Sequence, residues 1–234
     1  MPGAREALFS PPTAADDDAA VASLLALREL LGEEDAIVVV HGAGERFLFG
    51  GPLVEAGTRR LLAEVCDRIE ARRLPVLAAC EGSVLDAGLE LALACDLRFA
   101  RPGVAVGLPD ALAGGRPPQG AGQRLARLGG SSLATAALLL GETPRCGEDR
   151  RLDAVFELAA DPLAAARAGA ARLAASAPLV LEALKTSMRA AASLPLDAGL
   201  AIEADLACLL LESEDRAEGL RARAEGREPD FRGR

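Results

Sequence analysis

Pro75-Val-Leu-Ala-Ala-Cys-Glu-Gly-Ser-Val-Leu-Asp-Ala-Gly-Leu-Glu-Leu-Ala-Leu-Ala-Cys-Asp96 is the stretch on which the fold turns. It predicts a buried strand over 76–80, a tight turn around Gly82 and an apolar helix that begins near Ala87. A helix N-terminus presents unpaired backbone N–H groups and a partial positive charge, so it is a natural place to hold an oxyanion. Glu90 follows within one turn of that start. An anion-stabilising amide beside a carboxylate suits chemistry that makes and quenches an enolate.

On either side of this stretch, strands and helices alternate. An amphipathic helix is predicted over 21–31, stopped by Gly32, and a buried strand over 36–40 that ends at the turn His41-Gly-Ala-Gly. A second helix, over 53–72, carries Leu61, Leu62, Val65 and Ile69 on one face. Beyond the central stretch a strand is predicted over 97–100, with an extended segment 104–107 running into a loop over 108–118. Strand alternating with helix is the pattern of βαβ units and predicts parallel strands. After Gly120 the chain turns helical, with Ala/Leu-rich segments at 121–128, 131–140, 162–176, 178–191 and 197–213. The expected organisation is a poorly ordered polar lead-in over 1–18, an α/β core over 19–176 and a C-terminal helical oligomerisation region over 177–234. Asp16-Asp17-Asp18 sits where acidic charge favours a helix start.

Composition narrows the function classes. Half of the 234 residues are hydrophobic, which predicts a folded chain. A net charge of −9 with no Trp and no Tyr argues against nucleic acid, since neither a basic excess nor a stacking platform is available. Five cysteines with no CxxC spacing, and His41 as the single histidine, predict no metal centre and reduced thiols. No leader pattern opens the chain and no apolar run reaches the ~18 residues of a membrane span. The expected location is cytoplasmic, with no membrane partner.

The quoted stretch and three others resemble the crotonase family, the enoyl-CoA hydratases and isomerases, over about 33–231. Gly88-Leu-Glu-Leu-Ala-Leu-Ala-Cys-Asp96 looks like the family's GGGxELALACD. Val106-Gly-Leu-Pro-Asp110, with Gly114, Pro117, Gly120, Gly122-Gln-Arg-Leu125 and Leu128-Gly, looks like its FGxPE and GGTQRL segments. Lys185 lies in a segment like the family's helix ending in TK. Ser213-Glu-Asp-Arg-Ala-Glu-Gly-Leu220 through Phe231 looks like its terminal motif.

The resemblance implies a crotonase-like spiral of ββα and βαβ units with a helical trimerisation region, assembled as a homotrimer or a dimer of trimers. It implies an enzyme that hydrates, dehydrates or isomerises an acyl thioester through an oxyanion-stabilised enolate. Coenzyme A would arrive as part of the substrate, an acyl-CoA or acyl-carrier-protein thioester, with no cofactor tightly bound. The backbone N–H groups of Gly51 and Ala87 would form the oxyanion hole, worth roughly 3 kcal/mol per donor. Glu90 and Asp110 would be the acid/base carboxylates.

This chain departs from the family pattern in places. Asp110 stands where hydratases carry Glu, so its carboxylate is one methylene shorter. Asp86-Ala87-Gly88 replaces a triple glycine. Asp86 is read first as a solvated helix N-cap, with a replacement acid or base as the other possibility. Pro52 follows Gly51 and lacks a backbone donor, and the family's first strand near 5–20 is hard to discern. Two kinds of alternative therefore stand beside hydration: a decarboxylase or hydrolase of an acyl thioester, and a catalytically silent homologue acting as an accessory subunit. His41 at a strand end is read as structural in preference to catalytic. Cys80 and Cys95 are read as core, and Glu81, where the family has Asn, as satisfying its turn.

Overall fold

In the computed structural model, residues 5–10, 13–42, 44–49, 53, 55–112 and 120–234 are described. In chain order the strands are β1 (Arg5–Phe9), β2 (Ala36–Gly42), β3 (Val76–Cys80), β4 (Val84–Leu85), β5 (Leu97–Ala100), β6 (Val106–Gly107) and β7 (Glu157–Leu158). All residues of β2 and β3 are buried, as expected of strands covered on both faces. They form the middle of a five-stranded sheet ordered β1-β2-β3-β5-β7, and every ladder in it is parallel.

The period of two along these strands feeds two cores. Val38, Val40, Val76, Ala78 and Cys80 face the larger one, with Leu24 and Leu27 of α1 (Asp17–Leu30) and Leu62, Val65 and Ile69 of α2 (Ala56–Ala71). Ile37, Val39, Leu77 and Ala79 face the other, against Ala166 and Ala170 in the helix 162–174. Each fully buried Val, Leu or Ile contributes about 1.5–3 kcal/mol relative to exposure, and a one-residue slip would exchange the two faces.

Residues 5–9 depart from the expected disordered lead-in. They form the edge strand, in register Arg5↔Ala36 to Phe9↔Val40. A short segment with two charged residues has no apolar alternation, and what makes it a strand is the ladder offered by β2, 31 residues further on. The first helix also begins earlier than expected, at Asp17. Asp16 caps it by accepting the Ala19 N–H at 2.9 Å.

Beyond β6 the helical character holds, with α4 (Ala121–Gly129), α5 (Ser131–Thr135), α6 (Pro162–Ala174), α7 (Pro178–Ser193), α8 (Leu196–Leu211) and α9 (Glu214–Glu225). The expected single helix over 131–140 widens into a π-turn at Ala136–Leu140, ended by left-handed Gly141. α9 was not anticipated as a separate helix. Its Asp215 accepts the backbone N–H groups of Arg232 (2.7 Å) and Gly233 (2.8 Å), fastening the C-terminal tail.

Candidate active site

The two-stranded parallel pair of β4 and β6, in register Val84↔Val106 and Leu85↔Gly107, aims both strands at one end of the molecule. One residue beyond β4 stands Asp86, the first residue of α3 (Asp86–Ala94). Three residues beyond β6 stands Asp110, in the 3-10 turn Pro109–Ala111. The shared register delivers them side by side, and the Asp110 N–H donates to Asp86 Oδ1 at 3.1 Å. The other Asp86 oxygen, Oδ2, is buried with no hydrogen-bond partner among the described residues.

Asp86 is therefore not the solvated cap that its sequence position suggested. Extended Leu85 occupies the cap position, and Asp86 itself adopts a left-handed conformation at φ 47°. A non-glycine residue held there carries strain of order 1–3 kcal/mol and persists only where its surroundings impose it. Burial pushes the Asp86 carboxyl up to about 6, opposed by the Asp110 N–H and reinforced by the Asp110 charge, with Arg46 pulling the other way. A carboxyl at that value exchanges its proton near neutrality, the property a general acid or base requires.

The sign of the linkage follows. A raised folded-state value means the Asp86 contribution to stability is complete below its unfolded value of 3.8 and is lost as pH rises through about 6. Asp86→Asn keeps the acceptor for Asp110 and never ionises. It is expected to be more stable than the parent by on the order of 1–2 kcal/mol at pH 7.5, after allowance for solvent around this half-buried group, and equal to it at pH 3.5. Urea titrations at the two pH values measure this, and a parent that gains on the variant as pH rises contradicts it.

Ala87 is buried in the first turn of α3, where main-chain N–H groups have no intrahelical acceptor. Glu90 lies one turn on from Asp86, on the same helix face, and is 8% exposed. The segment leading towards Gly51 is pressed against this helix start. Phe47 N–H donates to Ser83 O and Ser83 N–H to Glu45 O, both at 2.8 Å. Gly88 permits the approach, because a Cβ there would sit 2.5 Å from Phe47 O. Leu48, also in this segment, is left-handed at φ 63°. Gly51 itself lies outside the described residues, as do Pro52, Gly114 and Pro117.

The structure thus joins Asp86 to Asp110 and sets Glu90 and the Ala87 amide on the same turn of helix. Sequence reasoning missed Arg46, whose charge acts on Asp86; no motif marks it. Cys80 and Cys95 are core residues, and burial raises both thiols, Cys95 to about 12, so neither presents a thiolate. Among the described residues no cluster of His, Cys, Asp or Glu is placed to hold a metal, and no helix is long and apolar enough to cross a membrane.

On this α/β frame Asp86 and Asp110 meet at the N-terminus of α3, an arrangement suited to acid–base chemistry. The pattern of the enoyl-CoA hydratase/isomerase family matches residues 26–234. The 2,3-dehydroadipyl-CoA hydratase of Escherichia coli K12 is 36% identical over 208 residues, covering 85% of this chain and 82% of that protein. The crotonyl-CoA hydratase of Syntrophomonas wolfei is 31% identical, covering 94% and 84%. Pseudomonas aeruginosa DspI superposes with a TM-score of 0.84 at 27% identity, covering 99% of this chain and 95% of that one. The enoyl-CoA hydratase of Bacillus anthracis shares the fold with a TM-score of 0.85 at 24% identity, covering 100% and 97%. The chain belongs to the enoyl-CoA hydratase/isomerase family, with the crotonase fold, and is an enzyme of that class. These relatives do not favour the decarboxylase, hydrolase or silent-subunit alternatives.

Proposed function

We propose that this enzyme adds water across the α,β double bond of an enoyl-CoA thioester. The observation that supports the proposal is the Asp110 N–H bond to Asp86 at the start of α3, the helix whose first turns also carry the Ala87 amide and Glu90. In this mechanism the Ala87 and Gly51 N–H groups hold the thioester oxygen as negative charge develops on it. Glu90 and Asp110 hold the water between them; one takes its proton as the oxygen bonds to the β-carbon, and a proton is delivered to the α-carbon. Asp86 fixes Asp110 through the latter's N–H, compensating for the shorter side chain, and exchanges a proton with the site near its own value of about 6.

A carboxylated enoyl thioester is the first substrate to assay, because the E. coli relative is a 2,3-dehydroadipyl-CoA hydratase. Loss of the enoyl-thioester absorbance should follow addition of enzyme to 2,3-dehydroadipyl-CoA or crotonyl-CoA, and carrier-protein thioesters should react more slowly. No hydration of any enoyl thioester would refute the proposal. A cytoplasmic location accords with five cysteines that are all unpaired.

The assembly we propose is a homotrimer or a dimer of trimers. No residue of α8 is buried, yet the helix is predominantly apolar, with Leu196, Leu200, Leu209 and Leu211 exposed. Leu184 and Met188 of the adjoining α7 are exposed too. An apolar surface this extensive marks an interface, and copies of the same chain would cover it with closed symmetry. Leu200→Asp combined with Leu209→Asp should shift the mass measured by light scattering to that of a single chain; a parent already monomeric at micromolar concentration rules the assembly out.

A further inference from the structure

Four polar side chains outside the carboxyl cluster stand at the C-terminal ends of four neighbouring strands. Ser10 follows β1, His41 is the penultimate residue of β2, Glu81 follows β3 and Arg101 follows β5. They form one hydrogen-bonded line across the sheet edge. Ser10 Oγ lies 2.8 Å from His41 Nδ1, His41 Nε2 lies 3.1 Å from Glu81 Oε1, and Arg101 Nη2 donates to Glu81 Oε2 at 3.2 Å. A carboxylate only accepts, so His41 carries its proton on Nε2 and, when neutral, accepts a hydrogen bond from the Ser10 hydroxyl on Nδ1. His41 is 6% exposed, and both ring nitrogens are engaged.

These side chains tie together the segments that lead to the thioester-oxygen site. The chain after β2 runs towards residue 51, and the chain after β3 runs to Ala87. The two are zipped main chain to main chain: Glu81 N–H to Gly42 O (3.3 Å), Ser83 N–H to Glu45 O and Phe47 N–H to Ser83 O. Gly82 keeps them close, since a Cβ there would lie 2.5 Å from Glu45 O. The N-terminal segment lies along the same seam, through Ala14 N–H to Leu48 O (2.7 Å) and Thr13 Oγ1 to Arg46 O (3.2 Å). The His41–Glu81 bond crosses the base of the seam, and Ser10 brings the N-terminal segment onto the same histidine.

We infer that His41 and Glu81, steadied by Ser10 and Arg101, are positioning residues that hold the segments bearing the amides of residues 51 and 87 in register. In this role both act through the main chain of 44–49 and 81–85 and not on the substrate directly. This role presupposes the thioester-oxygen site proposed above. A displacement of about 1 Å at a reacting group can cost roughly 100-fold in rate, so loosening this seam is expected to reduce kcat far more than it raises KM.

Two substitutions of the histidine separate positioning from space-filling. A glutamine amide reaches where Nε2 stands and keeps the Glu81 bond, whereas an asparagine amide reaches only to Nδ1 and keeps Ser10 alone. His41→Gln is expected to retain kcat within about threefold, and His41→Asn to lose roughly 30-fold or more with KM within about threefold. Glu81→Ala, made at a side chain that is 24% exposed, should reproduce the asparagine phenotype. Amide hydrogen exchange over 44–49 and 81–85 gives a readout that needs no activity: faster in His41→Asn and Glu81→Ala, unchanged in His41→Gln.

Equal kcat losses in the glutamine and asparagine variants, or unaltered exchange in all three, would overturn the inference. Faster exchange with undiminished kcat would also overturn it, leaving hydration intact. If the parent hydrates no thioester, the proposed reaction fails on its own and exchange alone decides whether the tie exists.

Discussion

Glu90→Gln is expected to lower kcat for enoyl-CoA hydration by about three orders of magnitude while the protein stays folded. General acid–base groups contribute roughly 10²–10⁴-fold, and an amide can neither take a proton from water nor return one. The replacement has nearly the same shape, and Glu90 sits within the first turns of α3 at 8% exposure, so packing against the surrounding core is preserved. The melting temperature should therefore move little, and substrate affinity should persist because the Ala87 amide is untouched. Steady-state hydration kinetics and thermal melts of parent and variant check both halves. A variant that keeps more than a tenth of the parent kcat takes Glu90 out of the chemistry and leaves Asp86 and Asp110 to carry it.

The largest expected effect on stability comes from Lys185→Met. Lys185 is buried on α7, and its ammonium donates to Ile69 O at 2.9 Å and to Asp96 Oδ2 at 2.8 Å. The same Asp96 oxygen accepts the Val76 N–H at 2.8 Å. One cation therefore fastens the C-terminal helices to the end of α2 and to the first residue of β3. Desolvation pulls the Lys185 value down while the Asp96 charge holds it up, the signature of an ammonium that depends on its partner.

Removing one member of a buried pair costs about 3–5 kcal/mol, and the low end applies here because the Asp96 side chain is 25% exposed and water reaches it. A loss of about 3 kcal/mol corresponds to a fall in melting temperature of roughly 6–12 °C for a chain of this length. Adding Asp96→Asn should recover part of that loss, since the stranded charge disappears. A fall of less than 2 °C in Lys185→Met would show that the pair contributes nothing to holding the C-terminal helices.

The sequence-based expectations succeed where the determinant is local. The strand at 76–80, the strand at 97–100 and the helix at 121–129 follow from apolar runs of the right length bounded by turn residues. The parallel sheet follows from their alternation with helices. Glu90 and Ala87 could be placed on one helix turn because their spacing alone decides it. The reading of Asp86 as a solvated cap fails for the opposite reason. Its φ of 47° and its role as acceptor depend on Asp110, 24 residues away, and on the β4–β6 register that brings the two together. The edge strand β1 escaped because its apolar content is too slight to announce a strand without β2 beside it.

By itself the amino-acid order determined the α/β character, the position of the α3 start and the presence of Ala87 and Glu90 in its first turns, since side-chain period and helix-start chemistry act over a few residues. Folding in three dimensions decided the rest. It paired Asp86 with Asp110, raised the former's proton affinity by burial, and joined Ser10, His41 and Glu81 across separations of 31 and 40 residues. Desolvation and hydrogen bonding act between groups close in space, and chain-distant groups become neighbours only when the strands align.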